Sequence, residues 1–471
     1  MKRLLIVVFC LVLVGCLPES ASEPVTVAAI RVQPTETAAP TATTLPSPLP
    51  PPTDAPSPTA VPTKTSLPIP PQREMVDSLT AVSANAIAYV QNKQLFIRTL
   101  PDSDIVPVYT EPCPEGSYCS LNYLKWSPDG QFLLYTYYNG ESSSLRLSDR
   151  QGKVQIIDDV GFIRPGDWSP DGRAIAYIKQ TDTFIEPSDF DPLGSWLFEV
   201  WTMPVAEDGS LGTPQLEGTR QMPGGGCGGG GRSLSEVLYE NEGGTSYGYL
   251  MGVTEWTAQN ILLYTVDCTN IGIGRFDMTT GTELPGFDRP LRNLVLNASE
   301  DRWYAVTGNA WSRDDLESNQ LVTGTPDSTE VTVIPTTAKV ELIFIGQTSG
   351  TIYYTERNPL GRESLDSQGL YFAFYESALW RIQSDGSGEE RLLFGEDDHA
   401  YAQVRETAVG DLIFVWVENE RPLFAAAQVV EGNPDRLQAY TPQRHIMQLP
   451  ANGGDPVMIL SNAGQPTLSL P

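Results

Sequence analysis

The chain is poor in the residues on which much protein chemistry relies. Its 471 residues include two histidines and six cysteines, and 58 aspartates and glutamates outnumber 30 lysines and arginines. So few histidines argue against a zinc centre and against a histidine-dependent nucleophile. The net charge of −28 disfavours nucleic acid and anionic lipid headgroups as partners. Long segments with helical periodicity are nearly absent, which favours an all-β fold.

The first twenty residues resemble the export signal of bacterial lipoproteins. Lys2 and Arg3 precede an apolar run from Leu4 to Val14, which is too short to span a bilayer comfortably. The run ends in LVGC at 13–16, which resembles the lipobox of that family. The resemblance implies that residues 1–15 are a signal peptide and that acyl chains on Cys16 anchor the mature protein to a membrane, on its extracytoplasmic side. An ordinary secretory signal with a chance cysteine is the alternative, and the choice between inner and outer membrane stays open.

Residues 16–72 contain the predicted lipidated cysteine and a disordered linker. Between residues 33 and 71 there are 13 prolines, nine threonines and no aromatic residue. Such a composition buries too little apolar area to offset the entropy lost on ordering. A proline-rich ligand for a groove-type binding domain is the alternative. Residues 1–72 carry four charges of each sign, so the whole negative charge lies on residues 73–471, the predicted folded domain.

Four cysteines remain if Cys16 carries lipid. An even number in an exported protein suggests two disulfides, and three pairings are possible. We favour Cys113–Cys119, which are close in sequence, together with Cys227–Cys268. A zinc site is the rival interpretation, but the sequence has no C-x2-C pair.

The pentapeptide WSPDG occurs twice, 42 residues apart. Proline suits position i+1 of a turn and glycine suits position i+3, with aspartate between them. The motif and the apolar strand after it resemble the WD40-like repeats of the TolB propeller family. Five degenerate copies, beginning at residues 80, 256, 297, 345 and 405, fit the same frame. The predicted turn residues are Trp126, Pro128, Asp129 and Gly130 in one copy and Trp168, Pro170, Asp171 and Gly172 in the other.

A second pair of apolar runs follows each copy. Four strands per repeat of about 40 to 60 residues predict an all-β propeller of four-stranded antiparallel blades. Seven blades are preferred, with six or eight as alternatives. Within a blade, Trp126 and Trp168 are expected to end the inner strand and to fill the wedge between blades, so WSPDG is interpreted as turn and packing. The C-terminal GQPTLSLP, with Leu468 in the tryptophan column, is preferred over residues 75–82 as the strand that closes the ring.

Long insertions concentrate in the B–C and D–A connections, which lie on one face of a propeller. They fall at 181–195, 218–248, 309–320, 357–377 and 420–440. Aromatic residues among acids suit a protein or carbohydrate partner, although such loops can also pack on one another and cap the channel. The candidate binding residues are Phe184, Phe190, Tyr239, Tyr247, Trp311, Tyr371, Phe372, Phe374 and Tyr375.

Three functional hypotheses follow. The first is a monomeric, membrane-anchored scaffold that binds a protein or another cell-envelope component. The second is a glycan or peptide sensor at the channel mouth, and the third is a hydrolase or lyase. Ser246 lies in GGTSYG, which resembles the nucleophile elbow of prolyl-oligopeptidase-type peptidases, but no α/β half follows, so we expect no catalytic residue.

No cofactor is expected. The glycine-rich segment at 224–231 lacks the G-K-[ST] that grips phosphate. The acidic segments Asp189-Phe190-Asp191 and Glu396-Asp397-Asp398 could hold calcium, but they lack the spacing of an EF-hand loop.

Overall fold

The computed structural model describes residues 84–469 with internal gaps. The gaps are 101–104, 109–118, 140–141, 160–161, 164, 187–194, 224–252, 267–271, 288–290, 308–318, 365–370, 396–399 and 418–443. All described residues belong to the unit Pro71–Pro471. Within this part of the chain no helix is long and apolar enough to span a membrane. The predictions for residues 1–83, including Cys16 and the linker, lie outside it.

The described backbone forms 29 strands, numbered in chain order. Blade 1 comprises β29 (Ala463–Ser469), β1 (Ala86–Gln91), β2 (Gln94–Thr99) and β3 (Ile105–Pro107). Blade 2 comprises β4 (Ser120–Trp126), β5 (Phe132–Tyr138), β6 (Ser143–Asp149) and β7 (Val154–Asp158). A short strand, β8 (Phe162–Ile163), pairs with both β6 and β10 and so joins blades 2 and 3. Blade 3 comprises β9 (Asp167–Trp168), β10 (Ala174–Ile185), β11 (Ser195–Pro204) and β12 (Gln215–Pro223).

Four further blades follow in chain order. Blade 4 comprises β13 (Val253–Trp256), β14 (Ile261–Val266), β15 (Gly272–Asp277) and β16 (Thr282–Leu284). Blade 5 comprises β17 (Leu291–Asn297), β18 (Arg302–Thr307), β19 (Leu321–Gly324) and β20 (Thr332–Ile334). Blade 6 comprises β21 (Val340–Ile345), β22 (Ile352–Ser364), β23 (Tyr371–Ile382) and β24 (Glu390–Gly395). Blade 7 comprises β25 (Ala400–Glu406), β26 (Leu412–Val417), β27 (Arg444–Leu449) and β28 (Val457–Ser461). The all-β propeller with seven four-stranded antiparallel blades is confirmed.

The WSPDG segments form the turns between the first and second strands of blades 2 and 3. In blade 2 the Gly130 amide donates to the Ser127 carbonyl over 2.7 Å, and the Ser127 hydroxyl accepts from the Phe132 amide over 3.0 Å. Gly130 has a φ of +66°, and a Cβ there would lie 2.0 Å from the Ser469 hydroxyl. Glycine is therefore required both by the turn and by the close approach of the C-terminal strand.

In blades 5 and 7 the repeat is placed one residue away from the frame predicted from the sequence. That frame put Asn297 and Arg405 in the tryptophan column, whereas strand pairing places Leu296 and Glu406 there. A shift of one residue sends each side chain to the opposite face of its sheet. Leu296 consequently packs in the core between blades 4 and 5. The prediction was wrong because no tryptophan fixes the frame in either blade, and in blade 7 the turn is also one residue shorter than in WSPDG.

Seven apolar clusters of described residues each lie between two neighbouring blades, and a smaller one lies within blade 7. Strand β5 shows why its sequence is apolar on successive residues. Leu133 and Tyr135 pack against blade 1, while Leu134 packs against blade 3. Trp126 lies in the first of these clusters and Trp168 in the second, as expected for residues that fill the wedge between blades.

The C-terminal strand closes the ring. Strand β29 pairs antiparallel with β1, and Leu468 lies opposite Ile87 in the tryptophan column. The same strand also contacts the neighbouring blades. The Trp126 indole of blade 2 donates to the Thr467 carbonyl over 3.2 Å, and the Gln465 side chain donates to the Leu121 carbonyl over 2.7 Å. The first and last strands of the domain are thus joined in one sheet.

Candidate functional site

Two blades carry strands that extend far beyond the others. β10 and β22 have 12 and 13 residues, whereas the second strands of blades 1, 2 and 7 have six or seven. At about 3.3 Å per residue, the extra length projects roughly 20 Å. Because neighbouring strands in a blade are antiparallel, the β10–β11 and β22–β23 connections lie on the same face of the disc. We call these two projections the arms and their side of the disc the arm face.

The arms correct part of the sequence interpretation. Segments 181–195 and 357–377 were expected to be loops, but β10 continues to Ile185 and β22 pairs with β23 as far as Ser364 and Tyr371. Residues 218–223 of a third expected loop lie in β12, which pairs with β11 along the blade 3 arm. Proline and glycine ordinarily interrupt strands, but in β22 a register shift between Pro359 and Gly361 accommodates both residues.

Five of the nine candidate binding residues lie on the arms. Phe184 is in β10, opposite Trp196 in register, and 37% of its surface is exposed. Tyr371, Phe372, Phe374 and Tyr375 are in β23. Outside the described residues are Phe190, Tyr239, Tyr247 and Trp311.

Most of the residues that the sequence analysis considered for catalysis, metal binding or disulfides lie outside the described part of the chain. This holds for Ser246, for both candidate calcium segments and for three of the four cysteines. Cys119 is buried and disulfide-bonded, and the proposed pairing stays a prediction. Within the described residues no group of three histidine, cysteine or acidic side chains is placed to hold a metal ion.

A second candidate site lies along the axis, where the innermost strands of the seven blades meet. Four of the seven residues that precede the tryptophan column are charged. We call these seven positions the channel ring. In blades 2 to 7 and then blade 1 they are Lys125, Asp167, Glu255, Val295, Phe344, Arg405 and Thr467.

Lys125 connects three blades through this ring. Its ammonium lies 2.8 Å from Asp167 Oδ1 and 2.8 Å from Glu255 Oε2. The side chain of Asp167 is only 4% exposed, and its Oδ2 accepts from the Trp256 amide over 2.7 Å. Lys125 itself keeps 38% of its side chain exposed, so solvent reaches the cluster.

The electrostatics of the ring follow from burial and from neighbouring charges. Burial lowers the pKa of Lys125, but the charges of Asp167 and Glu255 raise it by more, and the net shift is upward. Burial raises the pKa of Glu255, with Asp167 acting in the same direction and Lys125 against it. Burial lowers the pKa of Arg405, and the charge of Glu255 opposes that shift.

Amide side chains form further links between the innermost strands. Gln403 Oε1 of blade 7 accepts from the Gln465 amide of blade 1 over 2.7 Å, and Asn293 Oδ1 of blade 5 accepts from the Ile343 amide of blade 6. Gln403, Gln465 and Asn293 all have positive φ, at points where the strand pairing shifts register. The irregular backbone thereby turns these side chains toward the next blade.

Sequence reasoning missed the channel ring. Members of the ring that contact each other lie far apart in the sequence; Lys125 and Glu255, for example, are 130 residues apart. The available signal was the residue before the tryptophan column, which is lysine, aspartate and glutamate in the three copies that retain the tryptophan.

No protein-family model matches the chain, and no curated protein matches it. Among solved structures, the chain is similar to TolB from Acinetobacter baumannii, with 15% identity and a TM-score of 0.37 over 68% of this chain and 67% of that one. A puromycin-hydrolyzing peptidase of Mycobacterium tuberculosis shows 13% identity and a TM-score of 0.40 over 69% of this chain and 46% of that one. The acylaminoacyl peptidase of Pyrococcus horikoshii shows 12% identity and a TM-score of 0.43 over 82% and 53%. The chain spans about half the length of both peptidases, and these likenesses concern the fold alone.

Proposed function

We propose that the protein is a lipid-anchored, extracytoplasmic scaffold that binds a protein or another cell-envelope component through its arm face. The observation that carries this proposal is the pair of arms, which project from one face of a disc whose opposite face has short turns. A rigid propeller that presents extended elements on one face suits binding to a large partner. Binding, without turnover of a substrate, is the proposed activity.

The chemistry of the arms fits such a partner. Phe184 exposes part of its ring, and four further aromatic residues lie within five positions of β23. Aromatic side chains supply large contact areas at small entropic cost and are enriched at interfaces. The outer part of the blade 6 arm pairs only β22 with β23, and a two-stranded ribbon is marginally stable by itself in water, so this arm also gains stability when a partner covers it.

The proposal is tested by shortening each arm within its own strand register. Asn358 and Glu376 are paired across β22 and β23, so residues 359–375 can be replaced by an Asn-Gly turn that closes the hairpin at that pair. Gln180 and Phe198 allow the same replacement in blade 3. The full chain and both variants are used as bait for affinity capture from the native envelope.

The expected result is that the full chain retains a specific partner and that both shortened chains lose it while keeping the melting temperature. Val409→Ser is the matched control, because Val409 is 61% exposed on a short turn of the opposite face. Capture that persists after both arms are removed would contradict the proposal. Anchoring is tested separately by Cys16→Ser, which should move the protein from the membrane fraction to the soluble fraction.

A further inference from the structure

The acceptor groups of the channel ring are already engaged. Asp167 Oδ1 accepts from Lys125 over 2.8 Å and from the Trp168 amide over 2.7 Å, while its Oδ2 accepts from the Trp256 amide. Glu255 accepts from Lys125 over 2.8 Å and also receives a hydrogen bond from the Leu296 backbone. The two carboxylates therefore share one cation, and each is also hydrogen-bonded within the ring.

At this level of the channel, the side-chain groups that can still form hydrogen bonds to a ligand are donors. Arg405 donates to the Val404 carbonyl over 2.9 Å and forms no ion pair with any other described residue. Gln403 and Asn293 use their side-chain oxygens to link neighbouring blades. Their amide nitrogens form no hydrogen bond within the described part of the chain, and none of these nitrogens is shut off from solvent.

We propose that the central channel binds a small organic anion through a carboxylate that the Arg405 guanidinium holds, with the Gln403 amide nitrogen as a second donor. A guanidinium matches the two oxygens of a carboxylate in geometry and in charge. Burial disfavours the charged form of Arg405, so an anion beside it gains more than it would beside a fully solvated arginine. Asp167 and Glu255 in the same ring repel a phosphate dianion more strongly than a singly charged carboxylate.

The site is independent of the proposed scaffold function. Arg405 lies two residues before Thr407, which begins the short turn of blade 7, so the ring is near the face opposite the arms. Loss of the arms leaves this site intact, and loss of this site leaves the arms intact.

The test uses two probes that differ in one charged group, N-acetylglycine and its neutral analogue N-acetylglycinamide. Titration calorimetry with the whole folded chain is expected to show binding of N-acetylglycine and none of the amide. Arg405→Gln should weaken binding by about tenfold or more, and Arg405→Lys should restore part of it, because lysine keeps the charge but loses the paired geometry. Arg302→Gln, at an exposed arginine of blade 5, is the matched control and should bind as the parent does.

Equal binding of the two probes, or no binding of either at millimolar concentration, would overturn the proposal. So would inorganic phosphate binding more tightly than N-acetylglycine. If Arg405→Gln does not fold, Gln403→Met provides the second variant, and unchanged affinity in that variant removes Gln403 from the site. If Arg405→Gln does not fold, the arginine is tested in the parent chain with a dicarbonyl reagent that modifies guanidinium groups. N-acetylglycine should protect Arg405 from this reagent, and a lack of protection would overturn the proposal.

Discussion

Gln465→Ala is expected to weaken the closure of the ring. The side chain is 7% exposed and donates to the carbonyl of Leu121, itself 4% exposed, so the substitution leaves that buried acceptor unpaired. An unsatisfied buried carbonyl costs about 1–3 kcal/mol. Removal of the one buried methylene, Cγ, adds about 0.8 kcal/mol. Together we expect the free energy of unfolding to fall by about 3 kcal/mol.

Urea denaturation followed by tryptophan fluorescence measures this change. Gln465 has a φ of +54°, so Gln465→Gly should lose the same hydrogen bond but recover about 1 kcal/mol of backbone strain. Gln448→Ala is the matched control, because Gln448 donates to Asp411 within a single blade. A loss under about 0.5 kcal/mol in Gln465→Ala, or an equal loss in the control, would refute the argument that this side chain ties β29 to blade 2.

Three further predictions concern the stability of the propeller. Trp126→Ala should lower the free energy of unfolding by about 3–5 kcal/mol in urea, because the indole packs between blades 1 and 2, and the half-buried Trp201→Ala should lose less. Hydrogen bonds from Ser169 and from the Arg173 backbone hold the pKa of Asp171 below its ordinary value. Its stabilisation is therefore present above about pH 4 and lost as the pH falls through the folded-state pKa, so the melting temperatures of the parent and of Asp171→Asn should converge on acidification. Lys125→Met leaves two carboxylates without their cation. Such a loss costs about 3–5 kcal/mol when fully buried, and the 38% exposure of Lys125 reduces the expectation to about 2 kcal/mol by urea denaturation at pH 7.

The fold could be predicted because its signal is local and repeated. A serine, proline, aspartate and glycine turn next to a tryptophan specifies the same hairpin each time, and two clear copies set the frame for the others. The frame failed by one residue in blades 5 and 7, two of the blades that lack the tryptophan. Glu406 occupies an apolar column because the Tyr353 hydroxyl and the Ser349 amide of blade 6 satisfy its carboxylate, which the local sequence does not reveal.

The two candidate sites were harder to predict from the sequence than the fold, for two different reasons. The length of β22 could not be predicted, because Pro359 and Gly361 ordinarily end strands. Here they flank a shift in register, and the strand continues. The channel ring depends on closure of the whole propeller, which brings Lys125 against Asp167 and Glu255 from separate blades. Such a site has no sequence spacing of its own, so only the assembled fold reveals it.

Photo-cross-linking in the native envelope tests the scaffold proposal most directly. A benzophenone amino acid is placed at position 184, on the blade 3 arm, and in a second chain at position 409, on the opposite face. We expect a discrete cross-linked partner from position 184 and none from position 409. A partner captured from position 409 and not from position 184 would contradict the assignment of binding to the arm face.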